Sequence, residues 1–456
     1  MPLQKNQVLT LRVERLSSDG SGVAHSPDGE TVFIPGAAPG DEARVRIVKD
    51  CKRYAFGILD EVLTPSPDRI PVDCAVAGPC GGCSLRHLDY AAELRAKQEN
   101  VADAFARIGG LDMPVLPIVG SPEVNRYRNK VQFPVGVDKS GKPCIGFYAG
   151  RTHRIVPCPD CRLQPGVLNE IGNALCAFFA EKGIQPYSEE TGRGLVRHIF
   201  LRRGAHSGQI MVCLVCTRAK LPSAEELCTR LKAQFAEITT ILLNVNAKNT
   251  NVILGTETHT LYGPGYIEDT LCGVPVQLGP LSFYQVNTLA AEQLYGIAAQ
   301  YAQLTPDDLL LDLYCGMGTI GLSMAAHCRE LIGVEIVPEA IESAKANAAR
   351  MGADVAAKSR FFCADAGQAA TRLAAEGLHP DIVMLDPPRK GCDEATLSAV
   401  VRMSPRRVVY VSCNPATAAR DAAWLEQNGY HAEKVQPVDL FPRTRHCECV
   451  LSLSKV

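Results

Sequence analysis

Three short apolar runs, each closed by a carboxylate, constrain this chain more than anything else in it. They are Leu331-Ile332-Gly333-Val334-Glu335, Arg360-Phe361-Phe362-Cys363-Ala364-Asp365, and Asp381-Ile382-Val383-Met384-Leu385 followed by Asp386. Near-continuous apolar runs of this length suit strands buried on both faces, so a parallel sheet covered by helices is predicted. Open α/β sheets collect ligands at the carboxyl ends of their strands, and all three acids fall on that edge.

A fourth strand, 309–314, leads into Cys315-Gly316-Met317-Gly318-Thr319-Ile320-Gly321 and a helical pattern from Leu322 to about His327. Glycines let backbone approach a ligand and accept positive φ, here at a helix N-terminus with free N–H groups. The layout fits a dinucleotide or S-adenosylmethionine. Asp312 would face a pyrophosphate, which favours the sulfonium cofactor because it carries no phosphate. A fifth run, 408–412, ends in Cys413-Asn414-Pro415. Alone, a strand-end cysteine reads as core and Pro387-Pro388 as a strand stop. Beside the cofactor loop, Cys413 sits where a nucleophile would be placed.

Four segments together resemble the RNA uracil-C5 methyltransferases, in the expected order and over nearly the whole chain. They are Phe283-Tyr284-Gln285-Val286-Asn287, Asp386-Pro387-Pro388-Arg389, Ser412-Cys413-Asn414-Pro415, and Phe441-Pro442-Arg443-Thr444-Arg445-His446-Cys447-Glu448. The resemblance implies an α/β chain with a class I Rossmann-like methyltransferase domain at 269–456. It assigns Cys413 as the thiolate that adds to C6 of uracil, making C5 nucleophilic toward the sulfonium methyl group. It assigns Glu448 as the base that then removes the C5 proton. Gln285, Tyr314, Glu335, Asp365 and Asp386 match its cofactor contacts, with Asp386 at the cofactor or the uracil edge. Thr319 matches a position that varies more within the family.

Residues 1–63 alternate over 8–15, 22–25, 31–34, 43–48 and 54–62, with turn residues between. That pattern predicts a small five-stranded OB-like β-barrel, which resembles a TRAM domain. Leu63-Thr64-Pro65-Ser66-Pro67 reads as a linker. Cys74, Cys80 and Cys83 follow in a C-x5-C-x2-C spacing on a glycine-rich loop, which suits a metal or cluster better than a core. Cys158 and Cys161 are the candidates for a fourth ligand, and chemistry alone permits zinc. The resemblance implies a [4Fe-4S] cluster with Cys161 as fourth ligand. Cys213 and Cys216 lie three apart in an apolar strand, face opposite ways and belong to the core. The central region, 67–268, is expected to be α+β, with helices at 91–108, 167–182 and 224–235. The resemblance suggests that the first of these packs on the catalytic domain.

A neutral base stacked in RNA cannot offer C6 to a thiol, so the target uridine must be single-stranded or flipped out. Net charge is −2, which gives no bulk attraction to phosphate. Local cations are the candidates for an RNA surface: Lys49, Lys52 and Arg53; Arg126, Arg128 and Lys130; Arg193, Arg197, Arg202 and Arg203; Arg389 and Lys390; Arg443 and Arg445. The transfer-RNA branch of the family generally lacks the barrel and the cluster cysteines, while the ribosomal branch carries both. Large-subunit ribosomal RNA is therefore the expected substrate, and transfer RNA the alternative. A ribosome assembly factor with the same fold would have no use for Cys413 or Glu448. With 19 cysteines and no apolar leader or membrane-spanning stretch, a reducing cytoplasm and a monomeric, non-membrane protein are expected.

Overall fold

The computed structural model describes residues 3–150 and 152–456. Five strands, β1 (Val8–Leu16), β2 (Ser21–His25), β3 (Thr31–Pro35), β4 (Glu42–Asp50) and β5 (Tyr54–Thr64), close into a barrel in the order β1-β2-β3-β5-β4. Period-two alternation drives the closure. Leu11 and Val13 on β1 and Ala43, Val45 and Ile47 on β4 point inward and are buried, while Arg12, Glu14, Arg44 and Arg46 face solvent. A Cβ on Gly57 would lie 2.3 Å from Val45 Cγ1, so this corner requires glycine. The strands match the sequence expectation to within two residues, though β5 runs through Thr64 into the expected linker.

Helix α1 (Tyr90–Ala104) is capped by Asp89, which accepts from Ala92 N at 2.7 Å. It then widens into a π-turn, Phe105–Gly109, ended by Gly110 at φ 62°. Val101 and Phe105 join the core beneath the C-terminal sheet. The extra residue per turn swings Ile108 out of the expected apolar stripe, and it is 57% exposed.

The central sheet contains β6 (Lys130–Val137), β7 (Pro143–Tyr148), β8 (Ile155–Pro157), β9 (Val196–Arg203), β10 (Ile210–Cys216), β11 (Ile238–Val245) and β12 (Glu257–Tyr262), in the order β12-β11-β10-β9-β6-β7-β8. Helices α2 (Gly166–Glu181) and α3 (Ala224–Gln234) cover one face, while Phe200, Met211, Cys213 and Leu242 on the other join the core of the C-terminal unit. Cys213 thus lies in one core and Cys216 in the other, and both are fully buried. The hairpin β13 (Ile267–Leu271) and β14 (Val274–Leu278) leads on to α4 (Thr288–Ala302).

The C-terminal sheet comprises β15 (Leu309–Leu313), β16 (Glu330–Glu335), β17 (Ser359–Cys363), β18 (Ile382–Leu385), β19 (Arg407–Ser412), β20 (Tyr430–Val438) and β21 (Glu448–Lys455). Its order is β17-β16-β15-β18-β19-β21-β20, with the first five strands parallel and β21 antiparallel to both neighbours. Helices α5 (Thr319–Met324), α6 (Pro338–Arg350), α7 (Ala353–Lys358), α8 (Ala366–Ala375), α9 (Glu394–Met403) and α10 (Pro415–Glu426) connect the strands. Strand order reverses between β15 and β18, so the crevice at their carboxyl ends is the ligand position. None of the helices among the described residues is long and apolar enough to cross a membrane.

Candidate active site

Antiparallel pairing of β19 with β21 places Ser412 opposite Cys449, so the next residues along the ladder are Cys413 and Glu448. Cys413 is half-buried and Glu448 buried. The Ser412 side chain accepts from Asn414 N at 3.0 Å, and Asn414 caps α10 by accepting from Ala416 N. Asn414 Nδ2 donates to Arg389 O at 3.0 Å, tying the thiol turn to the Asp386-Pro387-Pro388-Arg389 turn. The residues expected to carry catalysis thus share one mouth.

Every acid there is pushed toward its protonated form. Burial and then the neighbouring Asp386 raise Glu448 to about 8, partly opposed by Arg389. Burial raises Asp386 to about 7. Burial, Glu448 and Asp386 raise the Cys413 thiol, against the Arg389 guanidinium hydrogen-bonded to it. A cation entering this pocket would stabilise all three deprotonated forms.

Tyr314, Glu335, Asp365 and Asp386 fall at or just beyond the carboxyl ends of β15, β16, β17 and β18. Glu335 ends β16, accepting from Gly316 N at 3.2 Å through Oε2 and from Ile336 N and Val337 N through Oε1. Tyr314 holds a left-handed backbone at φ 67°, and its hydroxyl lies 3.4 Å from Thr396 Oγ1. Such a backbone is costly for a bulky side chain and persists where surroundings over-determine it. Thr319 opens α5 with its Oγ1 3.5 Å from the Tyr295 hydroxyl, which is also hydrogen-bonded to the Gln285 side chain. Asp365 caps α8 by accepting from Gln368 N at 3.1 Å, so its carboxylate already has a structural task. Asp312 lies beneath the loop, accepting from Gly321 N at 3.0 Å, and burial raises it to about 8.

Sequence reading missed residues that aim the site from a distance. Asn129 donates through Nδ2 to Gln285 O at 2.7 Å and Thr288 Oγ1 at 3.0 Å. Arg202, expected at an RNA surface, is instead 1% exposed and donates to Gly279 O and Ser282 O, fixing the turn that presents exposed Leu281 and Phe283. Glu93 and Lys97 form a buried pair on α1. Two charges at i,i+4 within an apolar stripe were the available signal.

Several cations expected at an RNA surface are used internally instead. Arg197 donates to Asn246 O and Lys248 O, Arg126 pairs with Asp160, and Arg443 is buried. Backbone carbonyls and, for Arg126, the Asp160 carboxylate take up donors that the sequence leaves free for phosphate. Lys49, Lys52, Arg53, Arg193, Arg389, Lys390 and Arg445 remain exposed.

Cys74, Cys80, Cys83, Cys158 and Cys161 line one cavity of about 280 Å³, together with Arg86, Arg128 and Lys130. Arg86 Nε and Nη2 and Arg128 Nε are buried without hydrogen-bond partners. Cys158 and Cys161 are hydrogen-bonded to each other, which lowers the Cys161 thiol and raises that of Cys158. Among the described residues no three His, Cys, Asp or Glu side chains are drawn together around a single metal ion, so the expected thiols share a cavity but not a mononuclear site.

Residues 206–456 match the family described as tRNA (uracil-5-)-methyltransferase, and residues 2–59 match the TRAM domain. The chain is 43% identical over 453 residues to an "uncharacterized RNA methyltransferase" of Halalkalibacterium halodurans, covering 99% of this chain and 98% of that one. A protein of the same description from Oceanobacillus iheyensis is 41% identical over 455 residues, with 99% and 98% covered. Among solved structures, the Pyrococcus abyssi tRNA (uracil-54, C5)-methyltransferase in complex with S-adenosyl-L-homocysteine superposes with a TM-score of 0.77. It is 26% identical, with 98% of this chain and 100% of that chain covered.

Proposed function

Since this chain belongs to the S-adenosylmethionine-dependent RNA uracil-5 methyltransferase family and carries a TRAM domain, we propose that it methylates C5 of a uridine in large-subunit ribosomal RNA through a Cys413 adduct. The placement of Cys413 and Glu448 at adjacent ladder positions, over Asp386 and beside Arg389, carries the reading. Gln285, Tyr314, Thr319, Glu335, Asp365 and Asp386 are the proposed cofactor contacts. Residues 1–63, 67–268 and 269–456 are the proposed units.

Bound S-adenosylmethionine supplies the methyl group and, as a sulfonium, a positive charge. The Cys413 thiolate forms a bond to C6 of a flipped uridine, and the ring electrons move to C5, which takes the methyl group. Glu448 removes the C5 proton, the C6–S bond breaks, and the electron pair returns to Cys413. The sulfonium charge would favour the Cys413 thiolate and the Glu448 and Asp386 carboxylates against the burial that opposes their ionisation.

RNA containing 5-fluorouridine tests the reading, because fluorine at C5 cannot leave as a proton. A cofactor-dependent adduct that survives a denaturing gel and disappears in Cys413→Ala is expected. A folded, cofactor-binding protein that captures no RNA would refute it. Sequencing the captured RNA decides the substrate: large-subunit ribosomal RNA supports the proposal, and transfer RNA would replace it. The superposed tRNA methyltransferase covers 98% of this chain, so the ribosomal assignment leans on the cysteine loop and not on the barrel.

The cysteine cavity fits an anionic group, given its thiols and the unpartnered faces of Arg86 and Arg128. Cys74, Cys80, Cys83 and Cys161 are proposed to hold a [4Fe-4S] cluster there. A polynuclear group takes its thiolates from farther apart than a single ion does. Anaerobically purified protein should contain iron and sulfide that Cys80→Ser loses. Protein free of both would refute the cluster. Methyl transfer by this route needs no electron from it.

A further inference from the structure

The loop from Asp439 to Cys447 joins β20 to β21 and delivers Glu448, whose partner across the ladder is Val438. Its first half is held by groups from far along the chain. Lys97 on α1, 1% exposed, donates through Nζ to Glu93 Oε1 at 2.7 Å, Asp439 Oδ1 at 2.8 Å and Phe441 O at 3.2 Å. Asp439 also accepts from Tyr90 OH at 2.9 Å and from Phe441 N at 3.0 Å. Glu93 Oε1 accepts from Arg443 N at 2.7 Å. Consecutive carbonyls of this turn each accept from a different distant residue. Leu440 O accepts from Asn287 Nδ2, Phe441 O from Lys97, Pro442 O from Tyr127 OH and Arg443 O from Leu85 N. Arg443 is thereby kept at φ 68°, a left-handed backbone that needs such over-determination.

A buried charge network is a poor way to gain stability alone, because desolvating the charges offsets their attraction and well-packed apolar residues serve as well. What the ammonium group adds is direction: three N–H donors fixed on three acceptors. Every acceptor lies on α1 or on the turn leading to Glu448. We propose that Lys97 is a positioning residue for proton removal, acting through the Asp439–Phe441 segment on Glu448. The proposal rests on the assignment of Glu448 as base. Cys413 follows β19 and lies outside this turn, so loss of the network slows adduct resolution while leaving adduct formation intact.

Lys97→Met alone strands two buried carboxylates and risks unfolding, so it is paired with the triple variant Glu93→Gln/Lys97→Met/Asp439→Asn, which keeps volume without charge. Wild type is first shown to trap 5-fluorouridine RNA, and a wild type that fails this step removes the catalytic assignment itself. With ordinary uridine RNA, wild type turns over without leaving an adduct. The folded triple variant should form adduct at the wild-type rate but release product about 10- to 100-fold more slowly, so that a covalent band accumulates. Lys97→Arg, which retains a cation, should recover part of the release rate. Unchanged turnover in the triple variant overturns the proposal. So does adduct formation slowed as much as release, or a triple variant that does not fold, since each makes the network a structural support only.

Discussion

Replacing Glu448 by glutamine removes one titration from a desolvated pocket and leaves its shape nearly unchanged. The Glu448 side chain is 6% exposed, and burial, then Asp386, moves it from 4.5 to about 8. In an unfolded chain the carboxyl loses its proton near 4.5, whereas the native state retains it to about 8. Over that window the unfolded state binds fewer protons, so this group lowers stability steadily as pH rises, and the loss is complete above the native value. At about 1.4 kcal/mol per pH unit the cost is on the order of 3 kcal/mol at pH 7 and approaches about 5 kcal/mol above pH 9. Glutamine carries no such cost. The difference in unfolding free energy between Glu448→Gln and wild type, followed by urea denaturation across pH, should be small near pH 5 and should grow in favour of the variant toward alkaline pH. Groups not coupled to Glu448 cancel in that difference, and the Cys413 thiol, which Glu448 raises, adds in the same direction. A difference that stays flat with pH would refute the reasoning, because Glu448 would then be solvated. The stabilised variant should still form covalent RNA adducts and stall on them.

Further outcomes follow from neighbouring residues. Cys413→Ala should keep cofactor binding by calorimetry yet give neither adduct nor 5-methyluridine, and residual methylation would show another route. In Gly321→Ala a Cβ would meet Asp312 Oδ2 and Leu331 Cδ1, both at 2.8 Å. Overpacking of about 1–3 kcal/mol should weaken S-adenosylhomocysteine binding roughly tenfold, and unaltered calorimetric affinity would refute that placement of the loop. Arg389 is the cation that lowers both Cys413 and Glu448, so Arg389→Met should move the rising limb of the pH–rate profile to higher pH. An unmoved profile would exclude it from the electrostatics of the site.

The barrel and the parallel sheet were legible in the sequence because local periodicity and strand-end acids report directly on which faces are buried. The same local signal misplaced Ile108, since nothing in the stripe announces a π-turn. It also passed over Glu93 and Lys97, whose burial depends on Asp439 and Arg443 far along the chain. Arg197 and Arg202 look like phosphate ligands until folding supplies the carbonyls that consume their donors. Asp365 carries two messages at once, since a strand-end acid is also a helix cap. Cys158 and Cys161 were both visible, and their joint presence in the cavity appears only when the segments 74–83 and 158–164 are brought together.

Strand β21 lies between β19 and β20, although the chain lays down both of those first. Without β21 in that gap, Cys413 would have no Glu448 opposite it. Pairing on a pleated ladder also has parity: a slip of one residue would turn Glu448 to the opposite face of the sheet. Catalytic competence therefore depends on β21 pairing in one register. A partly folded chain cannot complete the thiol–base pair and so cannot carry an RNA adduct through to product.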